Sequence, residues 1–243
     1  MDSDLRLRVL RQSRWQSIQL DERNASFEIS IGNPRCAGDY LVSQIRWARS
    51  RFSSFTFSLG DMLNLYDYAV TGHPNLGRLD DAKAREVCSI EGDSWLRDNL
   101  SLIRSELSMH EFTVMRWEQW LSIPDVDENL AALWAIYHKN EAVRDIIRSD
   151  VDAYLHRRAS RVNLIPPEWE RLSSHLLEEL AVYKYQTETS HAVNLYPGSN
   201  PVILRPISPV AEFLPAALRE RHFVLFEIHP NHVPKISMKR KYS

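Results

Sequence analysis

Apolar residues along this chain fall into two rhythms. Short runs rich in β-branched and aromatic side chains predict strands at Phe27–Ile31, Phe55–Leu59, Phe112–Trp117, His191–Leu195 and Phe223–Ile228. Between them, apolar positions recur every three or four residues, which predicts helices. Asp39–Arg51 is one, with Leu41, Val42, Ile45 and Ala48 on a single face. Met62–Gly72 is a second, stopped near Gly72 and Pro74. A third starts at Asp81 behind an Asp80 cap, breaks or kinks at EGDSWLRDN, and resumes to Leu107. Pro124 punctuates the chain before helices at Asn129–His138 and Glu141–Arg158. Pro166 and Pro167 open Glu168–Lys184, since proline in a first turn forfeits no hydrogen bond. Val210–Arg219 is the last helix.

Strands that look buried on both sides and alternate with helices predict an α/β fold. The expectation is a single Rossmann-like domain, a mostly parallel sheet with helices on both faces, over residues 21–234. Residues 1–20 are expected to form an amphipathic arm or stay loose, and residues 235–243 a basic tail.

The chain is organised around Ser26–Asp39, SFEISIGNPRCAGD. A strand runs into a turn set by Gly32, Asn33 and Pro34, and Gly38 precedes a helix. Open α/β sheets build their sites at such strand ends. Ser30 is the candidate nucleophile; the plainer alternative is a strand-end serine bonded to backbone. Cys36, beside Arg35, is a rival nucleophile, or an ordinary buried thiol.

Bulk properties narrow the classes. At 243 residues and 44% hydrophobic the chain can bury a full core. A mean hydropathy of −0.37 without a long apolar run predicts a soluble protein with no membrane segment. The first residues lack the apolar stretch of a secretory signal. Two cysteines make no disulfide framework or metal motif and fit a reducing compartment, so a cytoplasmic location is expected. His229 and His232 in HPNH lack a third ligand at metal spacing, and no metal is expected.

A net charge of −2 excludes a general polyanion binder. Arginines nevertheless cluster: Arg144, Arg148, Arg157, Arg158 and Arg161 along one helix and its end, and Arg46, Arg49 and Arg51 on another. Such runs are either solvated faces or local phosphate contacts. The chain has no G-x-G-x-x-G, no P-loop and no G-x-S-x-G elbow. No nucleotide cofactor is therefore expected.

Taken in order, ISIGNPRCAGDY, a helix with IRWA, FTFSLGDMLNLYDYAVTG and EGDSWLRDN resemble the tRNA-dependent cyclodipeptide synthases. That family's first signature is a glycine and an apolar residue before a nucleophilic serine; Glu28, Ile29 and Ser30 stand at those positions. Its helical second signature, Tyr, three residues, then Glu, matches HLLEELA, with His175 in the tyrosine position and Glu179 in the glutamate position. Tyr196-Pro197 is similar to the branch in which proline follows that tyrosine, and RWEQW, from Arg116 and Trp117 to Trp120, resembles its third-strand segment. The resemblance spans Ser26–Gly198. Two positions depart from it: Glu28 replaces a glycine, and His175 replaces a tyrosine. They suggest a divergent member, similar to the fungal enzymes that make arginine-containing cyclodipeptides.

The resemblance implies a fold like a class I aminoacyl-tRNA synthetase catalytic domain. The chain lacks the HIGH sequence that ATP chemistry would need, and KISMK at 235–239 sits in the basic tail. It implies two aminoacyl-tRNAs as substrates, no cofactor, a monomer, and downstream tailoring enzymes as partners. Catalysis would fall to Ser30, Glu179, Tyr196 and His175. Substrate would be bound by Glu28, Gly32, Asn33, Asp61, Arg116, Trp117 and Pro197, and tRNA by Arg144, Arg148, Arg157 and Arg158. For an arginine side chain, Glu28, Asp61 and Glu118 are the candidate carboxylates. Each has a plainer role open to it: surface or capping groups for these three, a surface carboxylate for Glu179, a strand-end aromatic for Tyr196, a partly buried histidine for His175. A non-catalytic tRNA- or nucleotide-binding module is the alternative.

Overall fold

The structure, a computed structural model, describes residues 5–12, 22–157, 164–198 and 210–230. The strands are β1 (Leu5–Gln12), β2 (Asn24–Ile29), β3 (Ser54–Leu59), β4 (Phe112–Arg116), β5 (Val193–Tyr196) and β6 (His222–Pro230). The helices are α1 (Gly38–Arg49), α2 (Asn64–Val70), α3 (Asp81–Glu106), α4 (Trp117–Leu121), α5 (Pro124–Lys139), α6 (Glu141–Arg157), α7 (Pro166–Ser190) and α8 (Ala216–Glu220).

All six strands share one sheet in the order β1-β6-β5-β2-β3-β4. Its neighbours from β6 to β4 pair in parallel, and β1 runs antiparallel to β6. From β2 the chain steps outward through β3 to β4, then returns after α7 to place β5 on the other flank of β2. The direction of winding reverses between β2 and β5. Their carboxyl ends therefore splay their loops apart, which is where open α/β sheets hold ligands.

The expected α/β fold with a mostly parallel sheet is what the chain adopts, and the two faces of the sheet differ. On one, Ala25, Phe27, Ile29, Phe55 and Phe57 pack against Leu41 and Ile45 of α1 and Trp95 and Ile103 of α3. The Phe27 and Phe57 rings stack 4.8 Å apart. The other face carries Ser26, Glu28, Ser58 and Asn194, all buried, with Gln186 of α7 laid over them. The far flank of α7, including Leu177 and Ala181, packs with Leu133, Tyr137 and Ile147 of α5 and α6. β2 thus alternates polar and apolar residues while both its faces are covered.

Several elements differ from expectation. Leu5–Gln12, expected in a loose or amphipathic arm, forms the antiparallel edge strand β1. α3 is unbroken for 26 residues. Gly92 within it serves close packing: a Cβ there would lie 2.7 Å from both Arg116 Nη2 and Asp61 Oδ2. β4 stops at Arg116, whose N–H donates to the Gln119 side chain at 2.7 Å, and Trp117 opens α4. Pro124 starts α5 instead of ending a loop. α7 continues to Ser190 and ends on His191 in the left-handed region, φ 47°. In the stretch expected as one helix from Val210, a 3-10 turn (Ala211–Phe213) is separated from α8 by Pro215. His229 lies in β6, while His232 and the basic tail lie outside the described residues.

Candidate active site

Ser30 follows the last residue of β2 and is half-buried. Its carbonyl accepts the Asn33 N–H at 3.1 Å, closing the turn in which Gly32 takes φ +84°. Such a φ strains any residue with a Cβ, so glycine is the natural occupant. Asn33 caps the 3-10 turn Pro34–Cys36 through Oδ1, which accepts Arg35 N–H at 3.1 Å. Its Nδ2 donates to the Tyr196 hydroxyl at 3.4 Å, across the gap between β2 and β5. Pro197 is buried, and Gly198 lets the chain fold over the Tyr196 ring, where a Cβ would come within 2.8 Å. Burial pushes the Tyr196 phenol up to about 12, against hydrogen bonds from Asn33 and Ser30 that lower it.

Cys36 is fully buried, its thiol 3.7 Å from the Glu28 carbonyl and pushed up to about 12 by burial. A thiol so held is a poor nucleophile at neutral pH.

α7 presents His175, Glu179, Tyr183 and Gln186 at helical spacing. Gln186 Nε2 donates to Ser26 and Ser58 at 3.1 and 3.0 Å, and its Oε1 accepts from Asn194 Nδ2 at 2.8 Å. The same Asn194 nitrogen donates to Glu28 Oε1 at 2.9 Å. Desolvation raises Glu28 to about 7, opposed by Asn194, Ser26 and Arg221. Glu179 rises to about 8, from desolvation and then from the Glu28 charge, opposed by Arg221. His175 Nε2 is 4.0 Å from Glu179 Oε1, and its ring lies against Tyr154. Next to Glu179, Glu178 faces elsewhere: Tyr66 donates to one oxygen and Trp117 Nε1 to the other at 2.8 Å.

The remaining expected residues separate into other places. Asp61 is fully buried: Oδ2 accepts Arg116 Nε at 2.7 Å and Oδ1 accepts Trp117 N–H at 3.1 Å. Arg116 also donates to Asp93 at 2.6 Å and to the Ser89 carbonyl at 3.1 Å. This knot ties the ends of β3 and β4 to α3, and Trp117 extends it to α7. Glu118 is on the surface, paired with Arg85. Arg144 and Arg148 are half-buried on α6, Arg144 donating to the His138 carbonyl at 3.3 Å. Arg157 ends α6; Arg158 and Arg161 lie outside the described residues. Arg46 and Arg49 fasten α1 to Glu106 at the end of α3, and Arg51 stacks on Trp47.

Asn194, Gln186, Tyr183 and Arg221 enter the site unannounced by the motifs. The first three had a signal: a single polar residue, Asn194, inside the apolar run AVNL, and a polar stripe continuing the His175–Glu179 line along α7. Arg221, in the LRERH stretch before the last strand, had none. Among the described residues no three His, Cys, Asp or Glu side chains gather as a metal site, and no helix is long and apolar enough to cross a membrane.

Neither a protein-family model nor a curated protein matches the sequence. Solved structures do match the fold. A cyclodipeptide synthase from Fluoribacter dumoffii superposes with TM-score 0.75 at 18% identity, over 93% of this chain and 98% of that one. A Mycobacterium tuberculosis protein, whose structure relates cyclodipeptide synthetases to type I tRNA synthetases, gives 0.71 at 14%, over 94% of each. A cyclodipeptide synthase from Candidatus Glomeribacter gigasporarum bound to Phe-tRNAPhe gives 0.57 at 16%, over 92% and 95%. At such identities the likeness establishes the fold, shared over more than nine-tenths of the chain.

Proposed function

We propose that this protein is a cyclodipeptide synthase that draws both amino acids from aminoacyl-tRNAs. The observation that carries the reading is the meeting of Ser30 and Tyr196 at the reversal point of the sheet, beside Glu179 of α7, in a fold shared with such synthases. Ser30 Oγ attacks the ester carbonyl carbon of the first aminoacyl-tRNA. The bond to the ribose oxygen breaks, that oxygen takes the proton, and an aminoacyl-Ser30 ester remains. Asn33 N–H is committed to the turn, which leaves the Ile31 and Gly32 amides to face the oxyanion. Tyr196 orients the hydroxyl.

Glu179 then takes a proton from the ammonium of the aminoacyl-enzyme. The amine attacks the second ester, the C–N bond forms, and the second proton leaves with the ribose oxygen. In the dipeptidyl-enzyme the new terminal amine attacks the Ser30 ester, closing the six-membered ring and returning a proton to Oγ. Holding both ends on one residue replaces a bimolecular encounter. His175, one turn before Glu179, relays the proton in place of the family's tyrosine. The arginines of α6 serve as a tRNA contact.

An arginine-containing product is the narrower form of this proposal. Of the three carboxylates considered for the guanidinium, Asp61 is paired with Arg116 and Glu118 with Arg85. Glu28, two residues before Ser30, is bonded to Asn194 and makes no direct ion pair among the described residues, so the narrower form rests on it.

The test is intact-protein mass after mixing with a pool of charged tRNAs, together with product identification. One aminoacyl mass on Ser30 and a diketopiperazine are expected. Ser30→Ala should abolish both, lowering turnover by about a thousandfold or more, while Cys36→Ala retains them. tRNA binding without adduct or product would instead favour a non-catalytic module. Omitting arginyl-tRNA from the pool reads out the narrower form.

A further inference from the structure

Arg221 stands just before β6 and is 4% exposed. Its Nη1 donates to Asn194 Oδ1 at 3.3 Å, and Asn194 donates to Glu28. The guanidinium lies 5.1 Å over the Tyr183 ring and 5.2 Å over that of Phe223, so aromatic faces hold it from both α7 and β6. Its Nε and Nη2 have no hydrogen-bond partner among the described residues. A buried cation needs an anion nearby to be retained, and its Coulombic neighbours are Tyr183, Glu28 and Glu179. One fixed positive charge is thus linked through Asn194 to the buried Glu28, and stands against Tyr183, one helical turn from the half-buried Glu179.

We propose that Arg221 is a positioning residue for the reaction: its charge keeps Glu28 ionised and lets Glu179 ionise beside it, so that Glu179 can take up the amine proton, leaving one negative charge on the pair, and then return it. The inference rests on the proposed synthase activity. The atoms balance within the step: one proton moves from the substrate ammonium to a Glu179 oxygen, and the pair returns to the same charge when it is released. Two neighbouring carboxylates resist ionising together, and their protons come off as a coupled pair. Both groups are displaced upward, and Arg221 opposes the displacement in each, as a cation that eases the second ionisation would. The titratable and charged groups around Glu179 are Glu28 from β2, Tyr196 from β5, Arg221 before β6, and His175 and Tyr183 from α7 itself, with Glu178 turned away toward Tyr66 and Trp117. Tyr66 of α2 and Tyr154 of α6 lie against Glu178 and His175 respectively. Only Arg221 among these is a permanent cation.

The experiment is single-turnover cyclodipeptide formation by the full chain, from aminoacyl-Ser30 enzyme and a second aminoacyl-tRNA, across about pH 6 to 9. Removing the cation raises the affinity of the pair for protons. In Arg221→Met the acid limb of the profile should move up by about one unit, a tenfold loss at pH 7 that recovers with rising pH. Arg221→Lys should bring the limb back toward wild type, as a merely space-filling role would not. Glu28→Gln removes the repelling charge and should move the limb down. Carboxyl carbon NMR titration of Glu28 and Glu179 should show the same displacements without substrate. A folded Arg221→Met with an unmoved limb overturns the inference; should that variant fail to fold, a Glu28→Gln limb that stays or rises does so. Wild-type protein that forms no product ends the proposed function, and the positioning role with it. Product together with unmoved titrations ends the inference alone.

Discussion

The two faces of the sheet are equally buried and are held by different physics. Toward α1 and α3, phenylalanines pack with aliphatic side chains, and burial pushes the Cys36 thiol among them away from ionising. Toward α7, Ser26, Ser58, Gln186, Asn194 and Glu28 exchange hydrogen bonds, with Arg221 at the margin. A buried polar layer is stable only when its members satisfy one another. The chain places shape-dependent stability on one side of β2 and charge-dependent chemistry on the other, and Ser30 stands where the strand ends between them.

The sharpest way to break this contrast is to remove volume from the apolar face. Phe57→Ala should cost about 3–5 kcal/mol in denaturant unfolding, with no dependence on pH. Next is pH itself. Glu28, at about 7, sits above its ordinary value in the folded chain. Folding therefore binds a proton as pH rises past the normal carboxylate range, and the stability this group contributes is lost as pH climbs through 7. Glu28→Gln should flatten that decline, measured as unfolding free energy against pH, while adding a pH-independent loss because Arg221 is left without its anion. The smallest effect falls on the hydrogen bonds. Gln186→Leu should cost about 1–2 kcal/mol, because Ser26 and Ser58 still bond each other at 3.1 Å while Asn194 loses an acceptor. A larger loss there than in Phe57→Ala would invert the comparison.

This asymmetry also explains what the sequence could reveal. Strand and helix positions follow from local rhythm, so β2, β3 and α1 were legible to within a few residues. FEISI looked continuously buried because both faces are covered; its polar members became informative only once α7 was known to lie over them. Gly92 looked like a break because glycine weakens helices, yet its neighbours Asp61 and Arg116 come from distant strands. β1 alternates apolar and charged residues from Leu5 to Val9, a strand rhythm that reads equally as an amphipathic arm until β6 is there to pair with it. At the site, Ser30, Glu179, Tyr196 and Asn33 sat in recognisable local contexts. Arg221 did not, since a permanent cation acquires meaning only from carboxylates nearly two hundred residues away in Glu28 and forty in Glu179.

β1 and β6 are the first and last described strands of the chain, and they pair with each other along the edge of the sheet. Pairing between segments so far apart in the chain makes closure slow. Arg221 immediately precedes β6, so the polar layer over β2 gains its cation only when that strand docks, and a loosening of this sheet edge would be felt at Glu28 before it reached the phenylalanine core.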